Sequence, residues 1–376
     1  MTNIASAVPD PTPLDKFNDD LLLTEADQRL AQERFPEIAH VLNFPDLRDI
    51  FVRYDAHANG AKTIRRRAGY AAILLGVVSL LGASGTAIYE RSLGQWSTRI
   101  GFTSAVLGIA SLLIGSIGAL TGQAKQRWLS NRLMTERLRQ FQFQMLVCRI
   151  SEVLESTVDQ AARDRFVSKR SAWLAEFLRA HQGHVTAKLR STLDDDAEND
   201  FLLYRPELRR PSTAPDRSLL QLFSAYRLLR LEHQLQYANY ALRNDETIFP
   251  TSCVRQLEIL RDVSLGFIFI VFLAHLAVVL AHAASWSSFP ASLFHLTIIW
   301  LVIGVLALRT VEEGLQPGRE VERYAQYRAA ILSLLKRFDA AASPGERISV
   351  MLDTERAAYQ EMRSFLKTNY DARYVL

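Results

Sequence analysis

AGYAAILLGVVSLLGASGTAIY, residues 68–89, and IGFTSAVLGIASLLIGSIGALTGQA, residues 100–124, decide how this chain folds. Neither holds an Asp, Glu, Lys or Arg, and a helix needs about 20 apolar residues to cross a bilayer. Each stretch therefore reads as one crossing. Small residues recur along both. On the first they are Gly69, Ala72, Gly76, Ser79, Ala83 and Thr86. On the second they are Ser104, Gly108, Ser111, Gly115, Gly118 and Gly122. The steps alternate between three and four, so each set forms one seam along its helix. Two readings stand side by side. Small residues let backbones approach closely in lipid. The hydroxyls of Ser79, Thr86, Ser104, Ser111 and Ser116 can also line a polar path.

Outward from there, Val263 to Leu308 is also free of Asp, Glu, Lys and Arg. It is long enough for two crossings, about 263–284 and 291–308, with Ser285–Pro290 as the turn. The expected fold is an all-α membrane protein. It has four transmembrane helices arranged as two hairpins, with cytoplasmic helical bundles. Lys62, Arg65, Arg66 and Arg67 precede the first crossing, and Lys125, Arg127 and Arg132 follow the second. Arg255 and Arg261 precede the third, and Arg309 follows the fourth. The positive-inside rule puts all these ends, and both termini, in the cytoplasm. Clustered at membrane edges, the basic residues suit anionic lipid, and no nucleic-acid partner is expected. The formal net charge is +4.

The polar segments divide the 376 residues. Residues 1–23 read as disordered, with neither the basic start nor the apolar run of a secretory signal. Thr24 to Asp27 has the spacing of a capping box and opens a first unit, 24–183. From Asp46 a helix can run straight into the first crossing. Helical patterning resumes over Trp128–Ile150 and Arg163–Arg179. A linker, 184–215, carries an acidic run from Asp194 to Asp200 and then Pro206, Pro211 and Pro215. A second unit, 216–376, opens at Asp216 as a helix start and continues helically from Arg217 to Asn244. After its hairpin, helices are expected over about 319–342 and 346–369, with Pro344-Gly345 as a turn. Glu136-Arg137-x-x-Gln140-Phe141 after the first hairpin matches Glu322-Arg323-x-x-Gln326-Tyr327 after the second, which suggests a parallel tandem repeat.

These motifs carry a resemblance. Trp128-x-x-Asn-Arg132-x-x-x-Glu136-Arg-Leu-Arg-Gln140 directly after a hairpin, and Tyr54-Asp55-x-x-Ala58 before it, resemble the SLATT family, the SMODS- and SLOG-associating two-transmembrane effector domains of bacteria. Tyr226-x-x-x-Arg230-x-x-His-Gln234-x-x-Tyr237 and Glu355-x-x-x-Tyr359 resemble helices of a related subgroup. The resemblance implies two tandem units and an effector that opens a pore in the bacterial inner membrane or otherwise disturbs it, acting in antiviral defence or another conflict system. It also implies a homo-oligomer. The family's usual nucleotide-sensing domain is not read in this sequence, which implies a separately encoded sensing partner.

His275, His282 and His295 fall inside the second hairpin, where an ionisable side chain is a functional candidate and a proton-sensitive gate is one role. A neutral imidazole bonded to a neighbour is the other. Trp128, Arg132, Glu136, Arg137, Gln140, Glu322, Arg323 and Gln326 are candidates for coupling cytoplasmic helices to the hairpins. No metal site is expected: His181-x-x-His184 lacks a trusted ligand spacing, and the acidic run lacks a calcium loop's glycine. Cys148 and Cys253 suggest no disulfide. No phosphate loop, dinucleotide fingerprint, His-Glu-x-x-His or nucleophile elbow is present, so neither an enzyme nor a cofactor is expected. The second hairpin, rich in Phe267, Phe269 and Phe272, is expected to tolerate changes at Ala274 and Ala281 better than the first does at Gly108 and Gly115.

Overall fold

The computed structural model describes residues 19–115, 121–182, 185–194, 200–205, 216–244 and 252–372. Its helices are α1 (Glu25–Arg34), α2 (Ala39–Leu42), α3 (Pro45–Leu93), α4 (Gln95–Gly115), α5 (Thr121–Cys148), α6 (Ile150–Glu155), α7 (Gln160–Gln182), α8 (Val185–Leu193), α9 (Asp216–Tyr226), α10 (His233–Ala241), α11 (Cys253–Ala283), α12 (Ala291–Leu315), α13 (Pro317–Ala340) and α14 (Pro344–Asp371). Among the described residues there is no strand. Four apolar windows, in α3, α4, α11 and α12, are long enough to cross a membrane.

Contacts separate two compact units. Unit 1 comprises 1–56, 130–243 and 322–366, and unit 2 comprises 57–129, 244–321 and 367–376. This division in space differs from the tandem division of the sequence, because each unit takes segments from both halves. The boundaries fall inside α3, α5, α13 and α14. Most of the proline-rich and acidic stretch between the halves lies outside the described residues, as does Gly118.

Unit 1 is built around α5. Every residue from Leu133 to Cys148 except Glu136 is buried. A helix buried on all faces is expected to be apolar all round. This one instead carries Arg137, Arg139, Gln140, Gln142 and Gln144 inward. Their bonds explain it. Gln144 donates to the Phe201 carbonyl at 2.7 Å and accepts from the Leu203 N–H at 2.7 Å. Gln142 donates to the carbonyls of Val41 and Leu42. Side chains of α5 thus satisfy carbonyls at the end of α2 and loop backbone at residues 201–203 that burial would leave unpaired. Phe141, Phe143, Leu138 and Met145 fill the remaining space against α7, α9 and α14 residues.

The local signals are visible. Thr24 caps α1 through the reciprocal bonds of a capping box with Asp27. Pro344 is the first residue of α14, where its missing N–H costs nothing, so the expected turn there is a helix start. Gln316, at φ 51°, ends α12 and is followed by Pro317. One expectation fails: disorder does not extend to residue 23. Asp19–Leu21 forms a 3-10 turn, Leu21 and Leu22 enter the core, and the Asp20 carboxylate meets Arg139 at 2.8 Å. Burial of two leucines and a charge pair holds these residues.

His40 gives unit 1 a pH dependence. Its Nε2 lies 2.7 Å from the Ser156 hydroxyl. Burial, then the charges of Arg163 and Arg170, lower its pKa from 6.5 to about 4. Between those values the unfolded chain binds a proton that the folded one refuses. The stabilisation is therefore complete above pH 6.5 and is lost as pH falls towards 4. Urea unfolding in micelles at pH 7 and pH 5 should show a smaller difference for His40→Gln than for the unaltered chain. An equal difference would rule His40 out as the cause.

Unit 2 holds the four apolar windows. Gly94, at φ +53°, makes the tight turn between α3 and α4, a conformation that a side chain would strain. Its apolar surface faces outward: Leu74, Phe102, Ile109, Phe269 and Phe272 are more than half exposed. So broad an apolar exterior suits lipid rather than water.

Candidate functional site

The first candidate is the seam between α3 and α4. Along α3, Gly69, Ala72, Gly76 and Ser79 are buried, while Ala83 is exposed and Thr86 is half-buried. The seam continues through Gly82 instead. A Cβ added there would run into the Ser104 hydroxyl. On α3 the contact with α4 is therefore made by Gly82, one residue before the position that strict alternation of three and four selects. On α4, Ser104 and Ser111 are buried, Gly108 and Gly115 are half-buried, and on α5 Gly122 is exposed with nothing near its Cβ position.

The hydroxyls face the partner helix. Ser79 donates to the Ser104 carbonyl at 2.6 Å, and Ser111 donates to the Ala72 carbonyl at 2.8 Å. A Cβ at Gly108 would lie 2.8 Å from the Ser79 hydroxyl. As the numbers rise on α3 they fall on α4, so the helices pack antiparallel. Among the described residues this seam is closed within one chain by close approach and by bonds between hydroxyl and carbonyl groups.

The second pair, α11 and α12, also packs together. Ala274, Val278 and Ala281 are buried on α11, and Leu296, Ile303 and Thr310 on α12, with Gly304 lying against Phe267. Trp300 on α12 donates to the Ser84 hydroxyl on α3 at 3.1 Å. His275, His282 and His295 all lie exposed on this pair. The Nδ1 of His282 is 3.2 Å from the Val278 carbonyl, and no described bond joins the three imidazoles.

The coupling candidates divide between the units. Trp128, in unit 2, is buried beneath the Arg65 guanidinium, 5.1 Å from its ring centre, and the Lys62 ammonium, at 6.0 Å. The others belong to unit 1. Glu136 pairs with Arg132 at 2.5 Å and Arg139 at 2.9 Å, and Arg132 also reaches Asp55 at 3.6 Å. Burial alone would raise the Glu136 carboxyl; the two guanidinium groups outweigh it and hold its pKa at about 2. Arg137 donates to the Gln140 side chain at 3.0 Å, and its own pKa is lowered by burial.

The Glu-Arg-x-x-Gln-aromatic match is half shared in space. Arg137 and Arg323 are both buried against aromatic rings of α14, Tyr359 and Phe365 respectively, and Phe141 and Tyr327 are both buried. Glu136 and Gln140 are drawn into the interior, whereas Glu322 and Gln326 bond each other on the surface. Arg323 also pairs with Glu361.

Sequence spacing did not pair the residues at the centre of unit 1. Arg230 sits in a π-helical turn, Arg227–Glu232, between α9 and α10. Such turns re-aim side chains within a helix. Its Nε and Nη2 bond the two oxygens of Glu355 at 2.9 and 3.0 Å, with both side chains almost wholly buried. The Tyr226 hydroxyl donates to Glu355 at 2.8 Å, and Phe143 lies under the guanidinium. Nearby, Tyr327 donates to Gln234 and Tyr237 meets Tyr324. The separately quoted motifs around Tyr226, Arg230, Gln234, Tyr237 and Glu355 thus converge on one interior.

No cluster of three or more metal-ligating side chains occurs among the described residues; His184 and most of the acidic run lie outside them. Cys148 and Cys253 are free thiols. Comparison of the chain with family models, curated proteins and solved structures finds no match.

Proposed function

We propose that this chain is a multi-pass membrane effector. Its four apolar helices form two hairpins, and unit 1 is a cytoplasmic helical bundle. The resemblance of its motifs to the SLATT family supports a location in the bacterial inner membrane with both termini inside, and a role in a conflict system such as antiviral defence. The observation that carries the reading is the tight, polar-bonded seam of α3 and α4 beside helix faces that expose large apolar side chains such as Leu74, Phe102 and Ile109. A conduit then forms between copies in a homo-oligomer, or by parting the seam. Because α3, α5 and α13 each run from one unit into the other, rearrangement of the buried polar bundle is carried along continuous helices to the hairpins. A separately encoded nucleotide-sensing partner supplies the trigger.

Liposomes of anionic and zwitterionic lipid containing the purified chain should release a trapped ion indicator once unit 1 is perturbed. Induced expression should depolarise cells. Silence in both assays under every trigger tried would end the pore reading. A second reading, a non-conducting scaffold or sensor, is favoured by the closed seam within a single chain. It expects silent liposomes together with one stoichiometric partner in pull-down. The housekeeping channel or transporter expects selective flux without toxicity.

A further inference from the structure

The end of α14 returns to the membrane-side helices of unit 2. Ala372 is buried at 3% exposure. Its carbonyl oxygen accepts from Arg65 Nη2 on α3 at 3.1 Å and from Lys125 Nζ on α5 at 3.2 Å. Arg65 lies just before the first apolar window and Lys125 just after the second. The Lys125 ammonium also sits 5.3 Å from the Tyr370 ring centre. Three residues before Ala372, the buried Asn369 donates from Nδ2 to Glu320 on α13, at 3.3 Å. One short segment therefore touches the helix that enters the first pair, the helix that follows it, and the helix that follows the second pair.

We propose that residues 367–372 form a latch, an intramolecular clamp across the ends of both pairs of membrane helices. Each contact joins a cation or an amide to an oxygen or a ring, and charge-assisted bonds of this kind hold best where water is excluded. Its seating draws on Lys125, Arg65 and Asn369. It is carried by a helix whose earlier turns belong to unit 1. The latch is thus the part of unit 2 that a rearranged α14 would withdraw first. With the latch seated, α3 and α5 are held at one carbonyl oxygen and cannot part there. Withdrawal frees them, along with α13. As a regulator of conduction the latch rests on the pore reading; as a clamp it does not.

The test uses the full-length chain with Cys148→Ala, Cys253→Ala and Ala372→Cys, so that a single thiol reports on the buried position. In liposomes, maleimide should label this thiol slowly. Lys125→Met combined with Asn369→Leu should speed labelling at least tenfold. Lys125→Arg, which keeps a cation, and Gln126→Met, an exposed neighbour, should leave it slow and also show that the fold tolerates substitution there. Equal labelling in all of these chains would overturn the latch. Ion flux is measured on the same samples. Faster labelling with increased flux supports both ideas. Faster labelling with no flux, even when unit 1 is perturbed, leaves the clamp standing and removes the pore reading. Increased flux without faster labelling removes the latch alone.

Discussion

Arg230→Met should cost about 3–5 kcal/mol of stability, among the largest losses that any single substitution here will produce. Glu355 shows no exposed side-chain surface, and Arg230 engages both of its oxygens. Removing the guanidinium leaves a carboxylate away from water with the Tyr226 hydroxyl as its nearest described donor. A domain's whole stability is about 5–15 kcal/mol, so such a loss takes a large fraction of it. Removing both charges is a different matter. In the pair Arg230→Met and Glu355→Met nothing charged is stranded, and Tyr226 keeps its bond to the Met351 carbonyl at 3.0 Å. The double variant should recover most of the loss. Urea unfolding in micelles, followed by Trp173 fluorescence, measures both. A single-variant loss below about 1 kcal/mol would mean that water reaches the pair.

The motif residues were legible in the sequence, but their partnership was not. Tyr226, Arg230 and Glu355 belong to segments far apart in the chain, and helical spacing informs only on neighbours three or four residues away. The π-helical turn that aims Arg230 has no spacing signal either. Charge-free windows, in contrast, are a property of composition, so four apolar helices could be read directly. Caps at Thr24 and Pro344 are local and were visible for the same reason.

α5 shows the opposite case. Its mixture of Arg, Gln and Phe marks it in the sequence only as helical, yet it is buried on nearly every side. The carbonyls that its glutamines satisfy come from the end of α2, residues 41 and 42, and from residue 201, whose arrival no periodicity announces. Asp20 escaped notice similarly, because a sequence rich in Asp and Pro gives no sign that one acid will meet Arg139. The seam was legible as a stripe of small residues. Its change of course from Ala83 to Gly82 follows from the exact pitch at which two helices meet, which a stripe of letters does not specify.

Gly108→Leu should be among the most damaging single changes in the apolar helices of unit 2. Even the first carbon of the new side chain would meet the Ser79 hydroxyl at 2.8 Å. That hydroxyl cannot swing aside without losing its 2.6 Å bond to the Ser104 carbonyl. Overpacking costs about 1–3 kcal/mol, and a hydrogen bond between membrane helices adds about 0.6–1.7, so about 2–4 kcal/mol is expected. Gly101→Leu, on the same helix with nothing within 4 Å of its Cβ position, should cost far less. The second pair is not the tolerant one that its bulky residues suggest. Ala274 and Ala281 are buried, and a Cβ at Gly304 would lie 2.7 Å from the Phe267 ring. Gly304→Leu should therefore destabilise about as much as Gly108→Leu in unfolding by SDS titration. Stability alone then cannot separate the pairs, but flux can. If the first pair is the conduit, Gly108→Leu should abolish or unlock ion release, while Gly304→Leu at matched folded protein should leave release per molecule within about twofold, the span of a fraction of a kcal/mol. Equal effects of the two variants on release would remove any special role for the glycine-rich seam, and unaltered release in both would place the path outside both interfaces.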